Sequence, residues 1–237
     1  MQPPPVSSHR MNKKLAILTV FLLFAVPATA ETVLVEAGRD ATLIEDPDGA
    51  RANGAGPALF AGRTSQSRNG IRRGLVFFDV AAAVPRNAVV EAVSLRLYHL
   101  GGNDSTRTIR VHRVLSDWSE GPSFAGGGGG APSLPGDATW LHRHYADVSW
   151  VRPGGQFAGR PSAAAEVGPS GVYTWDGSAH LVQDVRLWSH VPARNFGWVL
   201  IGDEETPQNS KKLASREHPD AALRPRLEIT YRLPGRP

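Results

Sequence analysis

The fold is decided by a nearly continuous apolar run, Gly74-Leu75-Val76-Phe77-Phe78-Asp79-Val80. A short apolar run of this kind is typical of a strand in the core of a β-sandwich. We therefore predict a central strand over residues 74–80, and the segments on either side of it identify the other strands.

Alternation of apolar and polar residues marks the neighbouring strands. Apolar side chains recur at every second position in residues 92–100, which predicts one buried and one outward face. In residues 108–115 the same pattern predicts that Arg110 and His112 point outward. Further strands are predicted at residues 32–36, 196–202, 211–217 and 226–231.

One segment has helical spacing instead. Residues 178–190 predict a single short helix over one end of the sandwich. Its apolar residues are Leu181, Val182, Val185 and Trp188. Residues 121–136 include five consecutive glycines and predict a flexible surface insertion. Because strands continue on both sides, we predict one all-β domain, residues 31–233, with a short tail at residues 234–237.

The N-terminus has the layout of a secretory signal peptide. Lys13 and Lys14 precede a twelve-residue apolar stretch, residues 15–26, and an Ala-x-Ala cleavage site ends at Ala30. Twelve residues are fewer than the roughly 20 that a membrane-spanning helix needs. We therefore predict that residues 1–30 are an extension and a cleaved signal peptide. The protein is then secreted, to the periplasm or the extracellular space, and has no membrane partner after cleavage.

The composition of the chain limits which partners and which kinds of reactive site we expect. The formal net charge of +4 falls to +1 without residues 1–30, because these contain three basic residues and no acidic one. A near-neutral chain gives no reason to expect a nucleic-acid partner. The chain has no cysteine, which excludes disulfide bonds, thiolate zinc sites and cysteine nucleophiles. Stability must then come from a hydrophobic core.

Four groups of short segments follow one another along nearly all of the chain after residue 30. The first contains GLVFFD (74–79), VPRNA (84–88) and AVSLRLY (92–98). The second contains VHRV (111–114), DWSE (117–120) and ATW (138–140). The third contains VRLW (185–188) and NFGW (195–198), and the fourth contains LASRE (213–217) and RPRLEITY (224–231). In this order they resemble the DNRLRE domain, also known as carbohydrate-binding module family 96.

The resemblance implies a jelly-roll-like antiparallel β-sandwich that binds a glycan. Modules of this family are often attached to polysaccharide-degrading enzymes. The resemblance therefore implies such an enzyme as a second partner beside the polysaccharide. The glycine-rich residues 121–136 depart from the family pattern.

The densest basic stretch contains the first group of candidate binding residues. These are Arg63, Arg68, Arg72 and Arg73. Arginine binds carboxylates and sulfates through two parallel hydrogen bonds, so the four residues predict a site for an acidic polysaccharide such as a uronate polymer. The alternative is that these loop arginines are solvated and bind nothing specific.

Tryptophans are the second source of glycan contacts, because sugar rings stack on exposed aromatic faces. Four of the six lie beside turns: Trp118, Trp140, Trp150 and Trp175. Among these four we predict Trp150 to be exposed and to bind the ligand, while burial under the ends of the sandwich is the alternative for all of them. Trp188 and Trp198 lie in apolar segments and are predicted to belong to the core.

Two further groups of residues suggest a metal. His142 and His144 are two residues apart, so on a strand both imidazoles could coordinate one transition metal, as in the first half of a cupin motif. The glutamate that this motif requires after the second histidine is absent. Asp203, Glu204 and Glu205 could hold a structural calcium through oxygen, and no other cofactor is predicted.

These features predict a secreted, non-catalytic carbohydrate-binding module for an acidic polysaccharide. The sequence contains no G-x-S-x-G elbow and no phosphate loop. A structural or adhesive protein of the cell surface is the alternative from a different class. A cupin-like metal enzyme is the third hypothesis.

Overall fold

The computed structural model describes residues 29–234, together with residues 1, 2 and 4. Residues 5–28, which contain most of the predicted signal peptide, lie outside the described residues. Within the described part, most of the regular secondary structure is antiparallel strand, which confirms the predicted all-β class. Among the same residues no helix has the length and hydrophobicity that crossing a membrane would require.

The strands, in chain order, are β1 (Ala30–Glu36), β2 (Arg39–Ile44), β3 (Arg51–Asn53), β4 (Ala58–Arg63), β5 (Ile71–Phe77), β6 (Val89–His99), β7 (Arg107–Arg113), β8 (Ala131–Pro132), β9 (His142–His144), β10 (Val148–Ser149), β11 (Ala163–Val167), β12 (Gly171–Trp175), β13 (Trp198–Ile201), β14 (Lys211–Ala214) and β15 (Arg226–Arg232). The helices are α1 (Val80–Ala83) and α2 (Ala179–His190), and two 3-10 helices cover Pro192–Arg194 and Ala221–Leu223.

The strands form two layers. In the first layer β6 is central: it pairs with β15 on one side and with β12 on the other, and β15 pairs with β1. β14 pairs with the end of β6 and then with β4. In the second layer the order is β8, β3, β2, β5, β13, β7 and β11.

Strand β4 joins the two layers. Its first four residues pair with β14 in the first layer, and its last two pair with the start of β5 in the second. The change of partner occurs at Gly62, whose φ of +115° is a conformation that favours glycine. Two antiparallel layers joined in this way form the predicted jelly-roll-like sandwich.

A hydrophobic core fills the space between the layers and under α2. Its buried side chains include Leu59, Val76, Phe78, Leu95, Leu97, Ile109, Val111, Trp175, Leu181, Val185, Trp188, Trp198, Leu200, Leu213, Leu227 and Ile229. The rings of Trp188 and Trp198 pack with centroids 4.4 Å apart, which confirms the prediction that both belong to the core. Burying each large apolar side chain contributes about 1.5–3 kcal/mol to stability.

A second cluster covers the outer face of the second layer. It contains Ala41, Leu43, Leu75, Val114, Trp118, Ala138, Trp150 and Val199. In β5, Leu75 belongs to this cluster and Val76 belongs to the core between the layers. The central strand is therefore buried on both faces, which explains its uninterrupted apolar sequence.

Two boundaries differ from the prediction for the central strand. β5 starts at Ile71, three residues before the predicted position, and ends at Phe77. The last residue of the predicted strand, Val80, instead begins α1. Asp79 caps this helix, because its side-chain oxygen accepts a hydrogen bond from the Ala82 backbone N–H at 3.2 Å.

The predicted helix is confirmed as α2. Ser178 caps it by accepting a hydrogen bond from the His180 backbone N–H at 3.2 Å. Leu181, Val185 and Trp188 are buried in the core, as the spacing predicts. The helix packs against β6 and α1 at one end of the sandwich.

The glycine-rich residues 121–136, which were predicted to be a flexible surface insertion, are tied to the rest of the chain by several hydrogen bonds. The backbone N–H of Ala125 donates to the side chain of Asn53 at 3.0 Å, and that of Ser123 donates to Asp137 at 3.1 Å. β8 pairs with β3, and the carbonyl of Gly128 accepts a hydrogen bond from Arg72.

Candidate functional site

The structure separates the four candidate arginines. Arg72 and Arg73 are neighbours in β5, and neighbouring residues of a strand point to opposite faces. Arg72 is on the face of Val76, and Arg73 is on the face of Leu75. Arg63 ends β4, and Arg68 lies in the loop between β4 and β5. The four guanidinium groups therefore do not present one common basic surface.

Arg72 is a buried structural residue, with only 1% of its surface exposed. Its guanidinium donates to the carbonyls of Asn69 and Ile71 at 2.8 Å, to the Gln66 side chain at 2.8 Å and to the Gly128 carbonyl. Burial lowers the pKa of Arg72 to about 10, so the side chain stays charged at neutral pH. All of these contacts are internal, and they hold the glycine-rich segment against the β4–β5 loop.

Arg73 is neutralised within the fold. Its Nε and Nη2 atoms donate to the two carboxylate oxygens of Glu204 at 2.7 and 2.9 Å, a bidentate ion pair. Its guanidinium also lies 4.8 Å from the ring centroid of Trp140 and donates to the Gly154 carbonyl at 2.7 Å. Glu204, one of three acidic residues considered for calcium, is thereby engaged by an arginine.

The neighbouring Asp203 is also satisfied by nitrogen donors. It forms an ion pair with Arg107 at 3.2 Å and accepts hydrogen bonds from the backbone N–H groups of Glu205 and Thr206 at 3.0 Å. The bond from Thr206 is the main reason that the pKa of Asp203 is lowered. This geometry is that of a capped turn.

The prediction that Trp150 is exposed is wrong. Only 5% of its surface is exposed, because the indole packs into the second cluster on the outer face of the second layer. Its Nε1–H donates to the Thr139 carbonyl at 3.0 Å, so its polar atom is satisfied internally. Trp118 and Trp175 are fully buried, and Trp140 is half-buried beneath Arg73.

His142 and His144 share the short strand β9, but their imidazoles have different partners. The Nδ1 atom of His142 is 3.1 Å from the hydroxyl of Thr139, and that of His144 is 2.8 Å from the hydroxyl of Ser119. The Nε2 atom of His144 lies 3.5 Å from Asp117. Within the described residues, neither histidine belongs to a group of three metal-binding side chains.

Three loops at one end of the sandwich enclose an open pocket of about 480 Å³. They are the β4–β5 loop, the β6–β7 loop and the β13–β14 loop. We name this cavity the loop-end pocket. Its lining residues are Thr64, Ser65, Gly101, Gly102, Asn103, Gln208, Ser210 and Lys212. The lining therefore offers hydroxyls, amides and one ammonium group, together with bare backbone at the two glycines.

Hydrogen bonds between the three loops hold the pocket together. The backbone N–H of Gln208 donates to the Thr64 carbonyl at 3.3 Å, which joins the first and third loops. The buried ammonium of Lys211 donates to the carbonyls of Asn103 and Ser105 at 2.6 Å, which fixes the second loop to β14. The lining groups are thus positioned before a ligand arrives, which lowers the entropy that binding would cost.

Two cations in the described residues of this end, Lys212 and Arg68, are free. Within the described part of the chain, neither forms an ion pair within 4 Å or a side-chain hydrogen bond. Lys212 lines the pocket, and Arg68 projects from the β4–β5 loop, where it is exposed. Arg63, at the start of the same loop, is half-buried and donates to the Glu204 carbonyl at 3.2 Å.

Sequence reasoning identified the β4–β5 loop but missed the rest of the pocket. Asn103, Gln208 and Lys212 are isolated polar residues in segments far apart in the sequence, and the fold alone brings them together. The turn-forming run at residues 101–104 could have indicated Asn103, because it marks a loop tip, where binding residues are common.

A larger cavity, of about 590 Å³, lies between β6, β15 and the start of α2. Its charged lining residues are Glu91, Asp176, Arg186 and Glu228. The guanidinium of Arg186 is already bonded to the Val90 carbonyl. This cavity is larger than the loop-end pocket, but its excess of carboxylates disfavours an acidic ligand.

No protein-family model matches the chain, and no curated protein matches it. Assignment to the DNRLRE family stays a prediction from the sequence.

Proposed function

We propose that this protein is an exported, non-catalytic carbohydrate-binding module that binds an acidic polysaccharide in the loop-end pocket. The observation that carries the proposal is the pocket lining, in which hydroxyl and amide groups surround the ammonium of Lys212. Among residues 29–234 this ammonium has no ion-pair or hydrogen-bond partner. Sugar hydroxyls form hydrogen bonds with such groups, and the carboxylate of a uronate residue would pair with Lys212.

Export and family membership rest on the sequence. The Ala-x-Ala pattern after an apolar stretch supports secretion, and the four ordered segment groups support membership of the DNRLRE family. The sandwich fold is consistent with a binding module, although fold by itself does not determine function. A partner enzyme that degrades the same polysaccharide is part of this proposal.

The structure changes which residues are worth testing. A charge reversal at Arg72 would place a carboxylate among backbone carbonyls and disrupt the fold. A reversal at Arg73 would place it against Glu204. Arg68 and Lys212 form no ion pair or side-chain hydrogen bond with the described residues, so their replacement tests binding without breaking such a contact.

Affinity electrophoresis tests the proposal. The protein expressed from the full chain is run in native gels that contain polygalacturonate or a neutral polysaccharide. We expect retardation by the uronate polymer, weakened by salt because exposed charges are screened over about 8 Å at 0.15 M. We expect Lys212→Glu to weaken the retardation at least fivefold and Arg68→Glu to weaken it less.

Arg86→Glu is the matched control, because it makes the same charge change at an exposed position in the turn before β6. Its retardation should match that of the wild type after correction for net charge. Equal retardation of wild type and Lys212→Glu would exclude the loop-end pocket. Absence of retardation on every polysaccharide, together with self-association, would favour the structural or adhesive role instead.

A further inference from the structure

Three carboxylates meet where β2, the outer cover of the second layer and the end of β14 come together. They belong to Asp40, Glu120 and Glu217, and one oxygen of each lies within 4.8 Å of the others. Asp40 lies in β2, Glu120 follows the buried Trp118, and Glu217 lies in the connection between β14 and β15. The residues are far apart in the sequence, so the fold itself assembles the group.

Nitrogen donors hold the carboxylates in fixed orientations. The backbone N–H of Arg216 donates to Asp40 Oδ2 at 2.6 Å. The Nη1 atom of Arg216 donates to Glu217 Oε1 at 2.6 Å and to Glu120 Oε2 at 2.9 Å. The backbone N–H of Asp40 donates to Glu120 Oε1 at 2.7 Å. Each contact orients a carboxylate without using all of its lone pairs.

Two oxygens of the group are buried without a hydrogen-bond partner among the described residues. They are Asp40 Oδ1 and Glu217 Oε2. Only 1% of the surface of Asp40 is exposed, so water does not freely replace the missing partner. A buried carboxylate oxygen without a partner is costly, and side chains in this situation commonly coordinate a metal ion.

The charge of the group is also unbalanced. Three ionised carboxylates against the single guanidinium of Arg216 leave a formal charge of −2. The nearby Arg39 does not restore the balance, because it pairs with Asp117 at 3.2 Å and lies over the rings of Trp118 and Phe77. Burial raises the pKa of all three carboxyls, and it raises that of Asp40 well above its usual range.

We propose that Asp40, Glu120 and Glu217 bind one calcium ion. The donors are all carboxylate oxygens, which calcium prefers, whereas zinc sites usually include nitrogen or sulfur. Two of the ligands would be Asp40 Oδ1 and Glu217 Oε2, which have no hydrogen-bond partner among the described residues. The third would be an oxygen of Glu120. Water completes the six to eight oxygens that calcium takes. A divalent ion neutralises the formal charge of −2, and Arg216 keeps its role as the donor that orients the carboxylates.

The ion would act as a structural link. It would connect β2 of the second layer to the segment that covers its outer face and to the connection between β14 and β15. A chain without cysteine has no disulfide bond for this purpose. The site is separate from the loop-end pocket, so the calcium proposal stands or fails independently of glycan binding.

Calorimetric titration of calcium into the protein, after EDTA has been removed, tests the proposal directly. We expect one ion per chain. Thermal unfolding should then shift upward by roughly 5–10 °C at a calcium concentration of 100 times Kd, as linkage predicts for a domain of this size. No heat of binding, together with the same unfolding temperature in EDTA and in calcium, would overturn the proposal.

Glu217→Gln tests the assignment of the site. It keeps the size of a half-buried side chain but removes a charged ligand, so calcium affinity should fall at least tenfold. Glu228→Gln, an exposed change of the same kind on β15, should bind calcium like the wild type. Unchanged affinity in Glu217→Gln would overturn the assignment. The titration of the wild-type protein remains decisive even if a variant folds poorly.

Discussion

Replacement of Arg72 by methionine should destabilise the protein strongly, whereas the same change at Arg68 should have little effect. The two arginines are four residues apart and were equivalent candidates in the sequence. In the structure Arg72 is 1% exposed and donates to four internal acceptors, while Arg68 is exposed in a loop. A comparison of the two methionine variants therefore distinguishes a structural arginine from a surface arginine.

The magnitude follows from the acceptors that lose their donor. Methionine preserves much of the alkyl volume of Arg72 but donates no hydrogen bond. Gln66 and Asn69 are exposed and can turn to water, and the Ile71 carbonyl keeps its hydrogen bond from the Glu45 backbone N–H at 3.0 Å. The carbonyl of the half-buried Gly128 loses its donor. Each acceptor left unpaired inside a protein costs about 1–3 kcal/mol. With one such acceptor we expect a loss of about 2 kcal/mol, equivalent to a fall in Tm of roughly 4–8 °C.

Urea unfolding followed by tryptophan fluorescence measures this loss, since the core contains buried indoles. Arg68→Met should stay within about 0.5 kcal/mol of the wild type, as surface substitutions usually do. A loss below 1 kcal/mol for Arg72→Met, or equal losses for the two variants, would refute the structural role of Arg72.

Three further predictions concern buried polar groups. Lys211→Met should lower the free energy of unfolding by about 2–4 kcal/mol, because the carbonyls of Asn103 and Ser105 lose a buried ammonium donor. A loss within about 0.5 kcal/mol in urea titration would contradict this prediction. Trp118→Phe should cost about 2 kcal/mol, because the bond to the Phe196 carbonyl at 2.8 Å is lost and a cavity forms; an unchanged urea midpoint would argue against it. Burial raises the pKa of Asp40 above the unfolded value of 3.8, so the calcium-free folded state holds a proton that the unfolded state releases. Stability in EDTA should therefore rise from pH 7 to pH 5 relative to Asp40→Asn, and the opposite slope would contradict the burial of a carboxyl.

Periodicity predicted the core of the fold well. The apolar run at residues 74–80, the helix over residues 178–190 and the two core tryptophans, Trp188 and Trp198, lie in the structure much as predicted. Each of these features depends on the spacing of apolar residues, which local sequence contains. Other strands were missed: β2, β4, β11 and β12 are short and interrupted by polar or small residues.

The candidate site was harder to predict than the fold, because the contacts of its residues are with residues far away in the sequence. β5 starts three residues before the predicted strand, so Arg72 and Arg73 belong to a strand and point to opposite faces. Their acceptors at Gly128 and Glu204 are more than 50 residues away, which local spacing cannot reveal.

The covered outer face of the second layer explains two further errors. Trp150 was predicted to be exposed and His112 to point outward, yet both are buried. The Nδ1 atom of His112 lies 2.9 Å from the Ala158 carbonyl, in the segment that covers this face. Alternation indicates the face of a strand on which a residue lies, but not whether another part of the chain packs against that face.

Hydrogen–deuterium exchange with a uronate oligosaccharide is the most direct test of the central claim, that an acidic glycan binds in the loop-end pocket. We expect slower exchange in the three loops that line the pocket, at residues 64–70, 100–106 and 202–210, and little change in the outer face of the first layer. A neutral oligosaccharide of equal length should give weaker protection. No protection, or protection confined to the cavity beside α2, would show that the glycan does not bind in the loop-end pocket.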